Sequence, residues 1–542
     1  MHDDNTLDAV HTLFWHIANR PDAIAFEDDA SGEQMTFAML YTKAQRYAQA
    51  LRQVFDVQPG QRVLCRMQTS FDMIVSLLGH YLVGAIHVPV NTRYGAVELE
   101  HILEDSACDV VVIDDEQGAQ ILDTLLALPC ASSVRGVVSH NKAELKSDAS
   151  LSLIRHTFES CVDDGAQWSA DVLPCWEDIC GDDEKIAMIL YTSGTTGKSK
   201  GVMLSFRSVV SGIKALTDHW RFSTSDRLVL ALPLFHVHGL GIGVHGTLIQ
   251  GCTSLLQARF KPEAVVQAMH AWGGTIFMGV PTMYVRLINH MESTPGVGAK
   301  MSSARLYTSG SAALSADLFA RFERATGHRI LERYGMSETL LTISNPYDPE
   351  KRKPGTIGFP IASCEARIVD EQGNPCERGG GPGEIHVRGA SLMSGYWQND
   401  KATSDAMTED GWFRTGDAAR YDDEGYIVHV GRQSVDILKV GGYKISAREI
   451  EEVLQGSPSV EECAVLGKPD EEFGEVIVAA VVPVGGVQGV DNKDEFVSLL
   501  MRFLEGQLAD FKRPREIVLI EEIPRNALGK TQKHKLKSVF RA

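Results

Sequence analysis

From residue 24 onward, short apolar runs rich in β-branched residues alternate with stretches whose apolar residues recur at helical spacing. Ile24–Phe26 precedes a helical pattern over Phe37–Val54, carried by Leu40, Ala44, Tyr47, Ala48 and Leu51. Arg62–Arg66 then reads as a strand, Phe71–Val83 as a helix, His87–Val90 as a strand, Ala96–Ser106 as a helix and Val110–Ile113 as a strand. Strictly alternating strands and helices can bury their apolar faces only as parallel sheets covered by helices. The chain is therefore expected to be an α/β protein, with a large N-terminal domain of parallel-rich sheets.

Later segments break the alternation. Ser139–Trp176 is polar, acidic and weakly periodic, and reads as an insertion or loose connection. After the turn cluster Glu377–Gly383 the pattern becomes β-rich, with runs at Glu384–Arg388 and Ile427–Val430 that suggest a smaller subdomain. The last part reads as a small α+β unit, with helices near Ala447–Leu454 and Lys493–Leu508 and strands Glu461–Leu466 and Val476–Val482. The expected organisation is residues 1–430, a connector at 431–435, and a mobile unit over 436–542.

With 542 residues the length allows a large domain plus a smaller one, and 44% apolar residues can supply a sizeable core. A net charge of −19 disfavours nucleic acid or an anionic membrane as the main partner. No apolar run approaches the ~20 residues that span a bilayer. The acidic start Met1-His2-Asp3-Asp4 lacks a secretory pattern. The ten cysteines form no C-x-x-C pair, which suits reduced thiols and a cytoplasmic location.

The strongest local signal is Tyr191-Thr192-Ser193-Gly194-Thr195-Thr196-Gly197-Lys198-Ser199-Lys200-Gly201, directly after the apolar run Ile186–Leu190. Glycines expose backbone N–H groups, hydroxyls add donors and lysines add charge, which is what a polyphosphate requires. It is not a Walker A loop, because only Thr195 and Thr196 separate Gly194 from Gly197-Lys198. A flexible Gly/Ser linker is the competing reading, but linkers rarely follow a buried strand so abruptly.

Six further blocks follow in order: Leu232–Gly239, Gly279–Thr282, Ser309–Ala313, Tyr334–Thr339, Trp412–Asp417 and Pro524–Lys530. Together with the loop they resemble the AMP-forming acyl-CoA synthetases of the adenylate-forming superfamily over essentially the whole chain, and look most like the malonyl-CoA synthetase branch. The resemblance implies two steps: a carboxylic acid and ATP give acyl-AMP and pyrophosphate, then coenzyme A displaces AMP. It implies that Thr192, Ser193, Gly194, Thr196, Gly197 and Lys198 cradle phosphates, with Thr195 taking part in the chemistry. Glu338 would hold Mg²⁺, an ion that prefers hard oxygen ligands and bridges to phosphates. Tyr334 and Thr339 would contact the adenylate, Ser311, Ala312 and Ala313 would lie along the adenine, and Asp417 would bind the ribose hydroxyls.

On the acid side, His236 resembles a gate between the acyl pocket and the pantetheine tunnel, Met336 belongs to the acyl pocket, and His238 and His245 read as structural. In the last unit Arg432 would contact the nucleotide and Ser434 would be the pivot. Lys439, Gly441 and Gly442 would line the pantetheine channel. Lys530 would meet the acyl carboxylate and α-phosphate, where two anions converge and an ammonium offsets the charge. Arg286, one turn beyond Thr282, would bind the distal carboxylate of malonate or methylmalonate, since a guanidinium can hold a carboxylate bidentately. Two alternatives stay open: a medium- or long-chain fatty acyl ligase delivering to coenzyme A or a carrier-protein thiol, and a catalytically dead adenylate-binding module. The oligomeric state is left open.

Overall fold

A computed structural model describes residues 8–140, 154–162, 175–179, 181–192, 199–432, 436–440, 443–470, 474–505, 507–508, 510–525 and 531–540. The early alternation folds as expected. Helices Phe37–Gln53, Phe71–Val83 and Ala96–Ser106 separate strands Ile24–Asp28, Arg62–Arg66, Ile86–Pro89 and Val110–Ile113. Local chemistry fixes their ends. Thr36 and Ser70 each accept a hydrogen bond from the backbone N–H three residues on, satisfying groups a helix start leaves unpaired. Gly84 closes Phe71–Val83 at φ 77°, a left-handed conformation that glycine adopts without strain.

Two large sheets build the N-terminal part. The first has eight strands with a parallel centre, Arg62–Arg66 lying between Ile86–Pro89 and Val110–Ile113. The second has nine, and its parallel run passes through Thr253–Leu256, Arg227–Leu230, Ile276–Gly279, Leu306–Ser309 and Leu331–Met336. The largest apolar cluster takes residues from both sheets and from helices Phe37–Gln53, Phe71–Val83 and Phe206–His219, so the sheets share one interior. Next comes a four-stranded antiparallel sheet, Cys364–Val369, Gly383–Gly389, Phe413–Tyr421 and Ile427–Arg432. Residues 437–519 then form a separate five-stranded sheet packed with helices Ala447–Gln455 and Lys493–Glu505 around its own core.

Ser139–Trp176 is only partly what its polarity suggested. Ile154–Thr157 is a parallel edge strand beside Gly136–Ser139, and the helix Phe158–Val162 buries Phe158 and Cys161 in the main core. None of the four residues of Ile154–Thr157 is buried, so this edge strand needs no apolar face, which explains the weak apolar pattern. Residues 141–153, 163–174 and 180 lie outside the described residues.

Candidate active site

The glycine-rich loop leaves strand Ile186–Thr192 and returns through Lys200–Ser205, which pairs antiparallel with it, Thr192 opposite Lys200. Ser193, Gly194, Thr195, Thr196, Gly197 and Lys198 lie outside the described residues. The loop base is built from three directions. Thr192 Oγ1 donates to the Lys200 carbonyl at 3.5 Å, His101 Nε2 lies 2.8 Å from the Ser199 carbonyl, and the Trp397 N–H donates to the Gly201 carbonyl at 2.7 Å. A short strand Gly395–Tyr396 pairs on the far side of Lys200–Ser205 and brings Tyr396 to the site.

Tyr396 links the loop to the acidic motif. Its hydroxyl donates to Glu338 Oε1 at 3.1 Å, and the Lys200 ammonium lies 4.7 Å from the centre of its ring, within cation–π range. Glu338 is only 6% exposed, and its carbonyl accepts from the Met393 N–H at 2.8 Å. Thr339 is fully buried and Met336 half-buried at the end of strand Leu331–Met336. The turn that presents them is tight: a Cβ at Gly335 would overlap the Leu340 carbonyl. Sequence reasoning missed Tyr396; its only signal was an aromatic pair, Tyr396-Trp397, after Gly395.

Residues expected to contact the adenylate also converge. The Tyr334 hydroxyl donates to Asp417 Oδ2 at 2.6 Å across the gap between the second sheet and the four-stranded sheet. Asp417 sits opposite Arg432 in the strand pair Phe413–Tyr421 and Ile427–Arg432. Ser311 has φ 68°, so the Ser309–Ala313 segment turns sharply, with Ser311 and Ala313 half-buried and Ala312 exposed. The Glu332 carboxylate secures this turn by accepting from the Leu314 N–H at 2.9 Å, and burial pushes its carboxyl up to about 7.

The acid side holds a group that the sequence reading left without a role. Arg333 is 4% exposed, and its Nε and Nη2 have no hydrogen-bond partner among the described residues. Burial pushes its guanidinium down to about 9. It lies under Gly310, where any Cβ would collide with it. His238 is close enough for Arg333 to help depress its pKa after burial itself, and neither of its ring nitrogens has a partner among the described residues. The half-buried His236 accepts from the His238 backbone N–H at 3.3 Å through Nδ1. Thr308 Oγ1 and Ser309 Oγ, on the strand beside Arg333, are likewise buried without partners among the described residues. An interior with this many unspent donors is arranged for something else to bond to them.

Arg286 is placed differently. Helix Pro281–Ser293 buries Tyr284, Leu287, Ile288 and Met291, while Arg286 is exposed with its guanidinium 5.0 Å from the Phe260 ring centre. The helix thus leaves Arg286 on its solvent-accessible side, beside Phe260. His245 is structural as expected: Nε2 lies 3.0 Å from the Tyr81 hydroxyl and Nδ1 2.9 Å from the Leu240 carbonyl. Lys439 lies on strand Ile437–Val440, but its side chain, that of Arg432, and residues Ser434, Gly441, Gly442 and Lys530 are outside the described residues.

No group of three His, Cys, Asp or Glu side chains among the described residues forms a metal site. A buried single carboxylate such as Glu338 suits Mg²⁺, which commonly takes one or two carboxylates and completes its shell with phosphate and water. No helix among the described residues is long and apolar enough to cross a membrane.

Two protein-family models match this chain. The AMP-binding enzyme model matches residues 13–397, and the AMP-binding enzyme C-terminal domain model matches residues 449–530. A protein of Humulus lupulus named "Probable CoA ligase CCL8" is 36% identical over 504 residues, covering 88% of this chain and 79% of its own. A malonate–CoA ligase of Arabidopsis thaliana is 34% identical, covering 88% and 78%. The crystal structure of ATP-bound MatB from Rhodopseudomonas palustris superposes with TM-score 0.85 at 32% identity, covering 99% of each chain. The chain belongs to the AMP-binding enzyme family.

Proposed function

We propose that the protein is an AMP-forming ligase that joins malonate, or methylmalonate, to coenzyme A at the expense of ATP. The observation that carries the acid assignment is Arg333, a buried guanidinium whose Nε and Nη2 have no partner among the described residues, beside His238, whose ring nitrogens have none there either. Burying such a charge is costly unless an anion meets it. A dicarboxylate supplies that anion at its distal end and leaves the other carboxylate free to react. Relatives named malonate–CoA ligase point the same way. Arg286, exposed on its helix, becomes a group of the pocket's outer side in this reading, secondary to Arg333.

In the first step the glycine-rich loop, with Thr195 and Lys198, would hold the phosphates. Glu338, kept in place by Tyr396, would hold Mg²⁺, which supplies charge neutralisation on the phosphates when bound. Asp417, oriented by Tyr334, would accept from the ribose hydroxyls, and Arg432 opposite it would approach the nucleotide. Lys530 would offset the charge that builds as carboxylate meets α-phosphate. In the second step the C-terminal unit would turn about Gln433–Val435, withdrawing Lys530 and bringing Lys439, Gly441 and Gly442 to the pantetheine path beside His236. A few connector residues can absorb such a rotation.

The test is pyrophosphate release over a panel of acids with coenzyme A present, with the nucleotide product identified. Malonate or methylmalonate preferred over butyrate and palmitate, with AMP as product, is the expected result. ADP as product would end the reading of the chemistry, and a preference for long-chain acids would end the reading of the substrate.

A further inference from the structure

Lys533 is buried in the C-terminal unit among carboxylates. Its ammonium lies 2.6 Å from Asp436 Oδ1 and 2.8 Å from Glu451 Oε1, and all three side chains are largely sheltered. Glu451 Oε1 also accepts from the Val465 N–H at 2.7 Å, which fixes it to the edge strand Val460–Asp470 of the sheet. The Asp436 carbonyl accepts from the Ala447 N–H at 2.8 Å. Three remote pieces of chain therefore meet at one ammonium: the residue following the 433–435 connector, the helix Ala447–Gln455, and the terminal helix Lys533–Leu536. The cation is held firmly in its charged form, because both carboxylates outweigh the cost of burying it.

The chain just before Lys533 is closed as well. Arg525 and Thr531 form an antiparallel bridge, the Gln532 N–H donates to the Pro524 carbonyl at 2.7 Å, and Arg525 Nη2 lies 3.2 Å from Glu462 Oε2. Leu536 and Phe540 sit in a buried cluster with Leu466, Val478 and Ile523. Arg525 and Thr531, on either side of 526–530, are thus both tied to the described part of this unit. An exposed ion pair would contribute little here, but a sheltered one with two partners constrains geometry.

We infer that Lys533 is a positioning residue: with Asp436 and Glu451 it ties the chain directly after Lys530 to the residue following the connector, so that rotation there carries Lys530 with it. The inference rests on the reading of Lys530 as the adenylation lysine. All three partners belong to the same unit, so the lock persists in either orientation of that unit. A loosened lock would leave nucleotide binding intact, since Tyr334 and Asp417 lie outside that unit, and would blur the placement of Lys530 alone. Misplacing a catalytic group by about 1 Å costs up to about a hundredfold in rate.

The experiment uses the full chain and the acid that wild type turns over best. Lys530→Ala, Lys533→Met, Lys533→Arg and the double variant Lys530→Ala/Lys533→Met are assayed for adenylation and, separately, for thioester formation from preformed acyl-AMP. Lys533→Met should lower adenylation kcat by about ten- to a hundredfold, with the ATP KM and the thioester step changed by less than about threefold. Lys533→Arg should restore most of the loss. The double variant should be no slower in adenylation than Lys530→Ala, because residues acting through one another are not additive. Full adenylation by Lys530→Ala would overturn the Lys530 reading and the lock with it. A damaged Lys530→Ala combined with a normal Lys533→Met, or with multiplying losses in the double variant, would overturn the lock alone. If Lys533→Met is insoluble, Asp436→Asn, which leaves the Lys533–Glu451 pair, answers the same questions.

Discussion

Arg333→Met separates substrate recognition from folding more sharply than any other single change. The side chain is 4% exposed, with Nε and Nη2 unpartnered among the described residues, so in the free enzyme its charge is a burden. Methionine is of comparable length and carries no charge, and replacing buried charges by apolar side chains is commonly neutral or stabilising by about 1–4 kcal/mol. The thermal midpoint should therefore hold or rise. Malonate is affected in the opposite sense, because its distal carboxylate would enter the pocket without a cation. Losing one partner of a buried charge pair costs about 2–5 kcal/mol, or roughly 30- to 5,000-fold in kcat/KM. The assay is pyrophosphate release at saturating ATP, with malonate and butyrate run side by side and a thermal melt on the same preparation. Butyrate, which brings no second charge, should be used as well as before or better. Arg286→Met, from an exposed position, should cost malonate less than Arg333→Met does. Malonate kcat/KM within about threefold of wild type for Arg333→Met would refute the reasoning. A parallel collapse of both acids and of stability would show that Arg333 supports the fold instead.

Three further outcomes follow from the same geometry. Burial raises the Glu332 carboxyl from 4.5 to about 7, so the folded chain keeps a proton that the unfolded chain releases; that contribution is present below pH 4.5 and lost as pH rises through 7. Glu332→Gln keeps an acceptor for the Leu314 N–H and should exceed wild type in stability at pH 8 by about 3 kcal/mol, the gap closing below pH 5 in paired melts. His80 and His245 are pushed down from 6.5 to about 3 and about 4 by burial, so both favour the fold above pH 6.5 and lose that contribution as pH falls toward 4. Urea midpoints should decline over that window, and the double variant Tyr81→Phe/His245→Phe should flatten the decline; an unchanged slope would count against it. Tyr334→Phe removes the 2.6 Å bond that orients Asp417 and should raise the ATP KM about tenfold, with little change in kcat, in initial-rate assays.

How much of this was legible beforehand depended on whether a residue's role is local. Phe71–Val83 and Ala96–Ser106 were readable to the residue, because apolar spacing is a property of a short stretch of chain. Ile154–Thr157 was not, because an edge strand beside Gly136–Ser139 is defined by its neighbour and not by its own pattern. At the candidate site, Glu338, Asp417 and Tyr334 were singled out from their motifs, but that Tyr334 bonds Asp417 depends on two sheets meeting. Arg286 and Arg333 show the limit most clearly. The buried stripe Tyr284, Leu287, Ile288 and Met291 was present in the sequence, and Arg286 lies off it. Arg333 directly precedes the Tyr334–Thr339 block, and the charged pair Glu332-Arg333 beside that motif was itself a signal. Only the second sheet, passing under Gly310, turns that signal into a buried cation.

The segment His238–His245 is a π-helix, one residue wider per turn than an α-helix, with Gly239, Gly241 and Gly243 packed against Pro233, Ile213 and Leu230. Its extra residue makes the direction of every side chain before it a matter of counting. Removing one residue between Gly239 and Gly243 would let the turn relax to α geometry and swing whatever precedes it by about 100° around the axis. His236 and His238 would then face new neighbours without either being replaced. On the proposed role of His236 beside the acid, acid preference is thus open to changes of length in this glycine run as well as to substitution.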